Sequence, residues 1–373
     1  MVVVGVPKEI LPGECRVALV PDLVIKLKKA GLDVLLESGA GEAAGLPDGS
    51  YLEKGARVGP DALAEADVVL KVQPPTTDEV GRMREGATYI GFVQPYANAP
   101  VIRALASRRI TAFSMELMPR LARSQPMDAL SAMSTVSGYK AVLLAASRLP
   151  RFFPLLMTAA GTMTPARLFV VGAGVAGLQA IGTARRLGAL VEAYDTRPAV
   201  KEQVESLGAK FVALDLETRE AEDKGGYAKA QSEEFYRRQQ QMMLKCVTGA
   251  DVVISTALVP GQRAPVLITE EMVRGMRPGS VIVDLAAEQG GNCALTVPGE
   301  DVLRHGVLVM GPTNLPGTMP VHASQMYATT VTNFLAHLLK DGSLNLDLTD
   351  ELTRGPLVTH QGEVVHEAVK ARL

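Results

Sequence analysis

Cysteine, histidine, net charge and long apolar runs are all scarce in this chain, and each scarcity closes off a class of function. The three cysteines, Cys15, Cys246 and Cys293, are odd in number and far apart, which argues against a disulfide framework and suits a reducing compartment. His305, His322, His337, His360 and His366 stand at no metal-ligand spacing. With 38 basic against 40 acidic residues and no basic run, there is no electrostatic footprint for nucleic acid. The longest uncharged stretch, Leu168 to Ala184, has 17 residues and four glycines, so it reads as a buried strand and helix rather than a bilayer span. Met1-Val2-Val3-Val4-Gly5 offers neither a basic n-region nor a cleavage site, and no signal peptide is expected.

What is present is enough length and apolar content for more than one core. At 373 residues, 47% of them hydrophobic, two domains of about 150 to 200 residues are expected. Val2 to Val6 reads as a first buried strand, and Leu23, Leu27 and Ala30 then fall at helical spacing over Pro21 to Lys29, closed by Gly31. Short apolar strands follow at Asp33 to Leu36, Ala66 to Val72, Thr88 to Val93 and Ile110 to Phe113, with helical patterns such as Val101 to Ser107 between them. This alternation predicts an α/β fold with a parallel sheet and right-handed crossovers. A helix over Met133 to Ser147 leads into a second α/β domain.

That domain opens on Val170-Val171-Gly172-Ala173-Gly174-Val175-Ala176-Gly177. Arg167 to Val171 has strand character. Ala176, Ala180, Ala184 and Leu187 then fall at helical spacing until Gly188. Gly172-x-Gly174-x-x-Gly177 thus lies at a strand-to-helix turn, the context in which the motif binds dinucleotides. A diphosphate would sit on the N–H groups of the helix start. A strand from Leu190 to Tyr194 ends in Asp195, whose carboxylate can accept bonds from both ribose hydroxyls and repels a 2′-phosphate, which favours NAD over NADP. Lys210 to Ala213, Asp251 to Ser255, Ser280 to Asp284 and Val307 to Val309 complete a doubly wound sheet.

Between the first two of these strands lies a charged insertion, Asp215 to Lys245, containing Gly225-Gly226-Tyr227. It reads as a hinged lid over the cofactor or as a solvated loop. A polar helix over Gln231 to Leu244 closes it, anchored by Phe235 and Met242. A further helix, Ser324 to Leu339, is expected to return to the N-terminal domain. The domains would then be 1–130 with 317–373, and 131–316, with the nucleotide cleft between them. The tail from Asp341 reads as a polar surface segment.

One polar cluster remains, Arg120-Leu121-Ala122-Arg123-Ser124-Gln125-Pro126-Met127-Asp128. A guanidinium, an amide and a carboxylate this close can hold an amide-bearing ring and a ribose, although a solvated loop has the same composition. Together with Val6-Pro7-Lys8-Glu9, Arg16-Val17-Ala18, Gly161 to Ala166, Lys201 to Gly208, Asp223 to Ala228, Val283 to Ala286 and the glycine turn, this cluster resembles the NAD(H)-binding part of the alpha subunit of proton-translocating NAD(P) transhydrogenases. The resemblance covers essentially the whole chain. It implies two Rossmann-like α/β domains, the central one binding NAD(H). Arg120, Leu121, Ala122, Gln125, Pro126, Met127, Asp128 and Ser131 match the nicotinamide side, where Gln125 reaches towards NADP(H) on a partner. Gly172, Gly174, Val175 and Gly177 match the pyrophosphate turn, and Asp195, Thr196 and Arg197 match the adenosine ribose segment. Gly226 and Tyr227 match a mobile loop, and Gln239 and Leu258 match further cofactor contacts. It also implies a homodimer docked on an NADP(H)-binding beta subunit and membrane-spanning alpha and beta subunits, peripheral on the cytoplasmic face of the inner membrane, with no metal.

Alanine dehydrogenases share this two-domain plan and supply the rival reading. Amination of a keto acid needs a proton donor at the carbonyl and a clamp for the carboxylate. Gln94 stands where such sequences carry a histidine, and Glu288 appears where an aspartate is expected. Arg16 and Lys71 match the clamp positions and read either as clamp or as structural ion-pair residues. A nucleotide-binding regulatory module is a third class. It would use the Arg120 to Asp128 loop for binding alone.

Overall fold

The computed structural model describes residues 1–213, 233–258 and 261–373, and the chain divides into two compact units, Met1–Met133 with Pro316–Leu373, and Ser134–Leu315. In the first unit the sheet runs in the order Glu363–Val364, Leu357–His360, Thr111–Ser114, Thr88–Gly91, Val68–Leu70, Val3–Val6, Asp33–Glu37, Arg57–Gly59. The last six strands of that order are parallel. Val68–Leu70, Thr88–Gly91 and Thr111–Ser114 are buried at every position, so both faces are covered and the sequence shows short apolar runs instead of alternation. Helix Pro21–Lys29 buries Pro21, Val24 and Leu27. It begins with proline, where a missing N–H costs nothing, and ends in Lys26, Lys28 and Lys29, which complement the helix dipole.

Helix Pro320–His337 belongs to this unit. Its Phe334 meets Phe113 edge-on at 5.1 Å, and Tyr327 lies 5.2 Å from Phe92 while its hydroxyl donates to the Lys71 carbonyl at 2.8 Å. The tail corrects the sequence reading. Leu357–His360 pairs antiparallel with Thr111–Ser114, and Leu357, Val358 and Thr359 are buried, so this segment completes a sheet edge rather than lying on the surface. A second strand, Glu363–Val364, folds back on it.

In the second unit the sheet order is Lys210–Phe211, Leu190–Tyr194, Arg167–Val171, Val252–Ser255, Val281–Asp284, Val307–Met310, Asp301–Arg304. The first six strands are parallel. Asp301–Arg304, whose mostly exposed residues carry no apolar run, adds antiparallel at the edge. Chain order reverses between Arg167–Val171 and Val252–Ser255, which creates the switch-point crevice where open α/β sheets bind ligands. Helix Glu233–Gly249 is anchored by Phe235, Gln239, Met243 and Val247, one residue per turn; Met242, expected as an anchor, is only partly buried and Met243 takes its place. Helix Ala129–Arg148 is, by length and composition, apolar enough to cross a membrane. Its Ala141, Val142 and Ala145 instead join the buried core with Val170, Ile254 and Val283.

Candidate functional site

The glycine turn occupies the switch point, and its three glycines serve different physical needs. Gly172 has φ +94°, in the left-handed region, and its N–H donates to the Tyr194 carbonyl at 2.8 Å. A Cβ on Gly177 would lie 1.9 Å from the Gly172 carbonyl oxygen, so this glycine lets helix Val175–Arg186 close on the strand. Gly174 is the open one: a Cβ there meets nothing within 4 Å, and the space beside it is where a diphosphate would approach the backbone. Val175, just inside the helix, is 42% exposed on the same turn.

The sequence reading missed the residues that hold this turn from outside it. Thr256 Oγ1 donates to the Gly172 carbonyl at 2.9 Å, tying together the two strands that flank the switch. Gly138, on helix Ala129–Arg148, would put a Cβ 2.1 Å from the Ala176 carbonyl oxygen, so that helix also packs at the turn. Asn292 grips the segment after Val252–Ser255 through three bonds: its amide nitrogen donates to the Ala257 and Pro265 carbonyls, and its oxygen accepts from the Ala257 N–H. Leu258, a residue matched to cofactor contact, follows in that segment and is partly buried. Asp284 in turn accepts from the N–H groups of Asn292 and Cys293 and from Thr296, and burial pushes the Cys293 thiol up to about 11. None of these long-range pairings carries a local sequence pattern.

Asp195 stands at the end of Leu190–Tyr194 with its carboxylate on the turn: Oδ2 accepts from the Ala173 N–H at 2.8 Å. Arg197 folds back onto it, donating from its backbone N–H and Nε to Oδ1 and from Nη2 to Oδ2, each at 2.9 Å, with the partly buried Thr196 between them. Next to this acid, Gln239 is buried and donates its amide to the Tyr194 hydroxyl at 3.0 Å. Burial pushes that hydroxyl up to about 12, against the opposing pull of the Gln239 bond. Gly226 and Tyr227 lie outside the described residues.

In the first unit the polar cluster forms a 3-10 turn, Ala122–Met127, leading into helix Ala129–Arg148. Buried Ser124 donates to the Pro119 carbonyl, lies 2.8 Å from the Leu121 carbonyl and accepts the Leu121 N–H, which shapes the turn from within. Asp128 caps the helix: its oxygens accept from the Ser131 N–H at 2.9 Å and the Ser131 hydroxyl at 2.5 Å. Arg120, Ala122, Gln125 and Pro126 are exposed, while Leu121 and Met127 are partly buried. Two residues from later in the chain, Asp350 and Asn333, brace the turn from outside. Arg123 pairs with Asp350 at 2.6 Å, and the Asn333 amide donates to the Pro126 carbonyl at 2.9 Å, beside Gln125.

The clamp positions are internally compensated. Arg16 makes a two-pronged pair with Glu14, at 2.8 and 2.6 Å, and Gln73 donates to the same carboxylate at 2.7 Å. Burial alone would raise the Glu14 carboxyl, but these donors hold it below its ordinary value. Lys71 sits 2.7 Å from Glu9 and 3.5 Å from Glu79, with all three side chains buried. For Glu9 burial outweighs Lys71, and its carboxyl is pushed up. Gln94 is exposed with φ +52°, and Glu116 accepts the Val93 and Gln94 N–H groups beneath it. Glu288 is exposed and accepts the Asn314 N–H at 2.7 Å. Among the described residues no group of three or more His, Cys, Asp or Glu is arranged to hold a metal ion.

Comparison with known proteins follows the same outline. Residues 5–137 match the alanine dehydrogenase/PNT N-terminal domain family and residues 141–367 the corresponding C-terminal domain family. An NAD(P) transhydrogenase alpha-subunit polypeptide of Rhodospirillum rubrum is 50% identical over 377 aligned positions, covering 98% of each chain. The crystal structure of transhydrogenase from Sinorhizobium meliloti superposes with a TM-score of 0.90 at 44% identity, over 97% of this chain and 100% of that one. A structure of L-alanine dehydrogenase gives 0.83 at 28% identity, over 99% and 98%. The chain belongs to the alanine dehydrogenase/PNT family of NAD(H)-binding oxidoreductases and, within it, to the NAD(P) transhydrogenase alpha subunits.

Proposed function

We propose that this chain binds NAD(H) and exchanges hydride directly with NADP(H) carried by a partner subunit, while separate membrane-spanning subunits couple the exchange to proton translocation. Bound NAD(H) supplies or accepts the hydride at its nicotinamide ring. The protein's own task is to hold and orient. The glycine turn and the start of helix Val175–Arg186 would hold the diphosphate, Asp195 the ribose, and the Arg120 to Ser131 segment the nicotinamide end. Transfer from one nicotinamide to another changes no protonation state, so it asks for positioning and exclusion of water rather than for an acid or base.

The observation that carries this reading over keto-acid amination is the compensation of Arg16 by Glu14 and of Lys71 by Glu9. Cations already neutralised by buried carboxylates are poor clamps for an incoming carboxylate. Gln94 also offers no proton at neutral pH. Assembly as a homodimer, peripheral on the cytoplasmic face of the inner membrane, completes the proposal. The hairpin Leu156–Thr158/Gly161–Met163, which exposes Met157 and Met163, with exposed Leu155 just ahead of it, supports cover by a second copy.

Two assays test the reading. Purified chain is given NADH with pyruvate and ammonium, then NADH with an NADP(H)-binding transhydrogenase domain and an oxidised NADP analogue. Turnover in the second mixture alone is expected. Turnover in the first would establish the amino acid dehydrogenase instead, and silence in both would leave a binding module.

A further inference from the structure

A carboxylate has about four acceptor positions on its two oxygens. At Asp195 all four are taken: Oδ1 by the backbone N–H and Nε of Arg197, Oδ2 by the Ala173 N–H and Nη2 of Arg197. Two of these donors belong to the backbone and stay wherever the Arg197 side chain goes. The other two form a guanidinium fork, one prong on each oxygen, in a pair whose side chains are 17% and 7% exposed. A ribose 2′,3′-diol presents the same pattern, two donors side by side, and can bind Asp195 only where the fork now sits.

We propose that Arg197 sets nucleotide specificity at this site: its guanidinium occupies the diol position on Asp195, so a ribose must displace it, and it cancels much of the charge with which the acid repels a 2′-phosphate. This rests on the NAD(H)-binding reading above and deepens it. Asp195 remains fixed by the Ala173 and Arg197 N–H groups after the fork leaves, so displacement exposes a positioned acceptor pair and requires no rebuilding of the turn. The guanidinium therefore acts as an internal competitor for the diol. For a 2′-phosphate it is a nearby cation, which narrows the gap between NADH and NADPH.

The test is a pair of dissociation constants, for NADH and NADPH, measured by nicotinamide fluorescence on the whole chain and on Arg197→Met and Arg197→Lys. Arg197→Met keeps much of the apolar stem and the backbone bond while removing the fork. NADH binding should tighten several-fold and NADPH binding weaken, so that the ratio of the constants rises about tenfold, the effect of one uncompensated charge at close range. Arg197→Lys restores the charge without the fork and should return the ratio towards wild type while NADH still binds more tightly. If both constants change in parallel in Arg197→Met, or NADH binding weakens, Arg197 is a contact or a structural brace and the proposal falls. Wild-type chain that bound neither nucleotide would bring down the NAD(H) reading itself, a result distinct from an unmoved ratio.

Discussion

Replacing Gly174 and Gly177 separately by alanine should divide what the turn does for the fold from what it does for a ligand. At Gly177 the new Cβ would fall 1.9 Å from the Gly172 carbonyl oxygen and 2.9 Å from its carbon, against backbone that Thr256 also holds. Relief requires the helix to move off the strand, at a cost of roughly 1–3 kcal/mol or more for overpacking. Gly174 differs in every respect. Its φ of −75° and ψ of −167° suit alanine, and the Cβ meets nothing within 4 Å. Losing glycine's unfolded-state entropy favours alanine by about 0.4–1 kcal/mol. Alanine is a poorer helix N-cap than glycine by a similar order, so the net change in stability should be within about 1 kcal/mol. The methyl would nevertheless stand in the space assigned to the diphosphate, and NADH affinity should fall about 10- to 100-fold, some 1.4–2.7 kcal/mol. Thermal melts and NADH titrations of both variants make the comparison. Gly177→Ala should lose melting temperature and affinity together; Gly174→Ala should lose affinity alone. A Gly174→Ala chain that binds NADH within about twofold of wild type would remove the diphosphate from this turn.

Other substitutions address the remaining parts of the site. Gln125→Asn should slow hydride transfer to the partner while NADH affinity holds, and a large loss of affinity would make Gln125 a binding residue only. Asp195→Ser should bring the NADH and NADPH dissociation constants closer together; an unchanged ratio would mean that the acid does not face the 2′ position. Arg123→Ala breaks a pair whose arginine is 57% exposed, so stability should barely change, yet freeing the 3-10 turn from Asp350 should lower the transfer rate. Equal rates would show that Asn333 and Ser124 suffice to hold the turn. Lys71→Met strands the buried carboxylates of Glu9 and Glu79 and should cost about 3–5 kcal/mol, read as a large fall in melting temperature. The double variant Glu9→Gln/Lys71→Met should recover much of that loss, and a Lys71→Met chain as stable as wild type would contradict a structural role for the pair.

The parts of the fold legible in the sequence were those whose signal is local and repeated. Arg167–Val171, Leu190–Tyr194 and Pro21–Lys29 have the bounds that their apolar runs and flanking residues mark. Five of the missed strands, Asp301–Arg304, Leu339–Lys340, Ser343–Leu344, Leu357–His360 and Glu363–Val364, share one feature. Arg304 pairs with Val307, Lys340 with Ser343 and His360 with Glu363, so each hairpin turns on two residues: His305-Gly306, Asp341-Gly342 and Gln361-Gly362. All six have positive φ, as a type I′ turn requires. Asp-Gly is a strong hairpin signal, and Leu357-Val358-Thr359 ahead of Gln361-Gly362 has β-branched character. The polar composition of the tail outweighed both. The site divides in the same way. Its glycines and Asp195 announce themselves by spacing, whereas Asn333 and Asp350 reach the Arg120 to Asp128 turn from more than 200 positions away and leave no mark near it.

A site for proton-coupled chemistry needs a titrating group turned towards its substrate. Several buried carboxylates in the first unit turn the other way: Glu14 onto Arg16, Glu9 onto Lys71 and the Val72 N–H, Glu116 onto the N–H groups that set the backbone at Gln94. Burial raises Glu116 even with those donors in place, yet its oxygens are engaged with the chain's own backbone and with the Ser114 hydroxyl. In the Arg120 to Ser131 segment the one carboxylate, Asp128, caps a helix, and there is no histidine. Arg120 and Gln125 are exposed, and neither a guanidinium nor an amide exchanges a proton near neutral pH. Such a surface would, on the proposed reading, orient a ring and a ribose. On the proposed reading nothing else is required, because the partner for the hydride is another nicotinamide. The same ionisable groups that fold this unit would therefore keep it from acting on a keto acid.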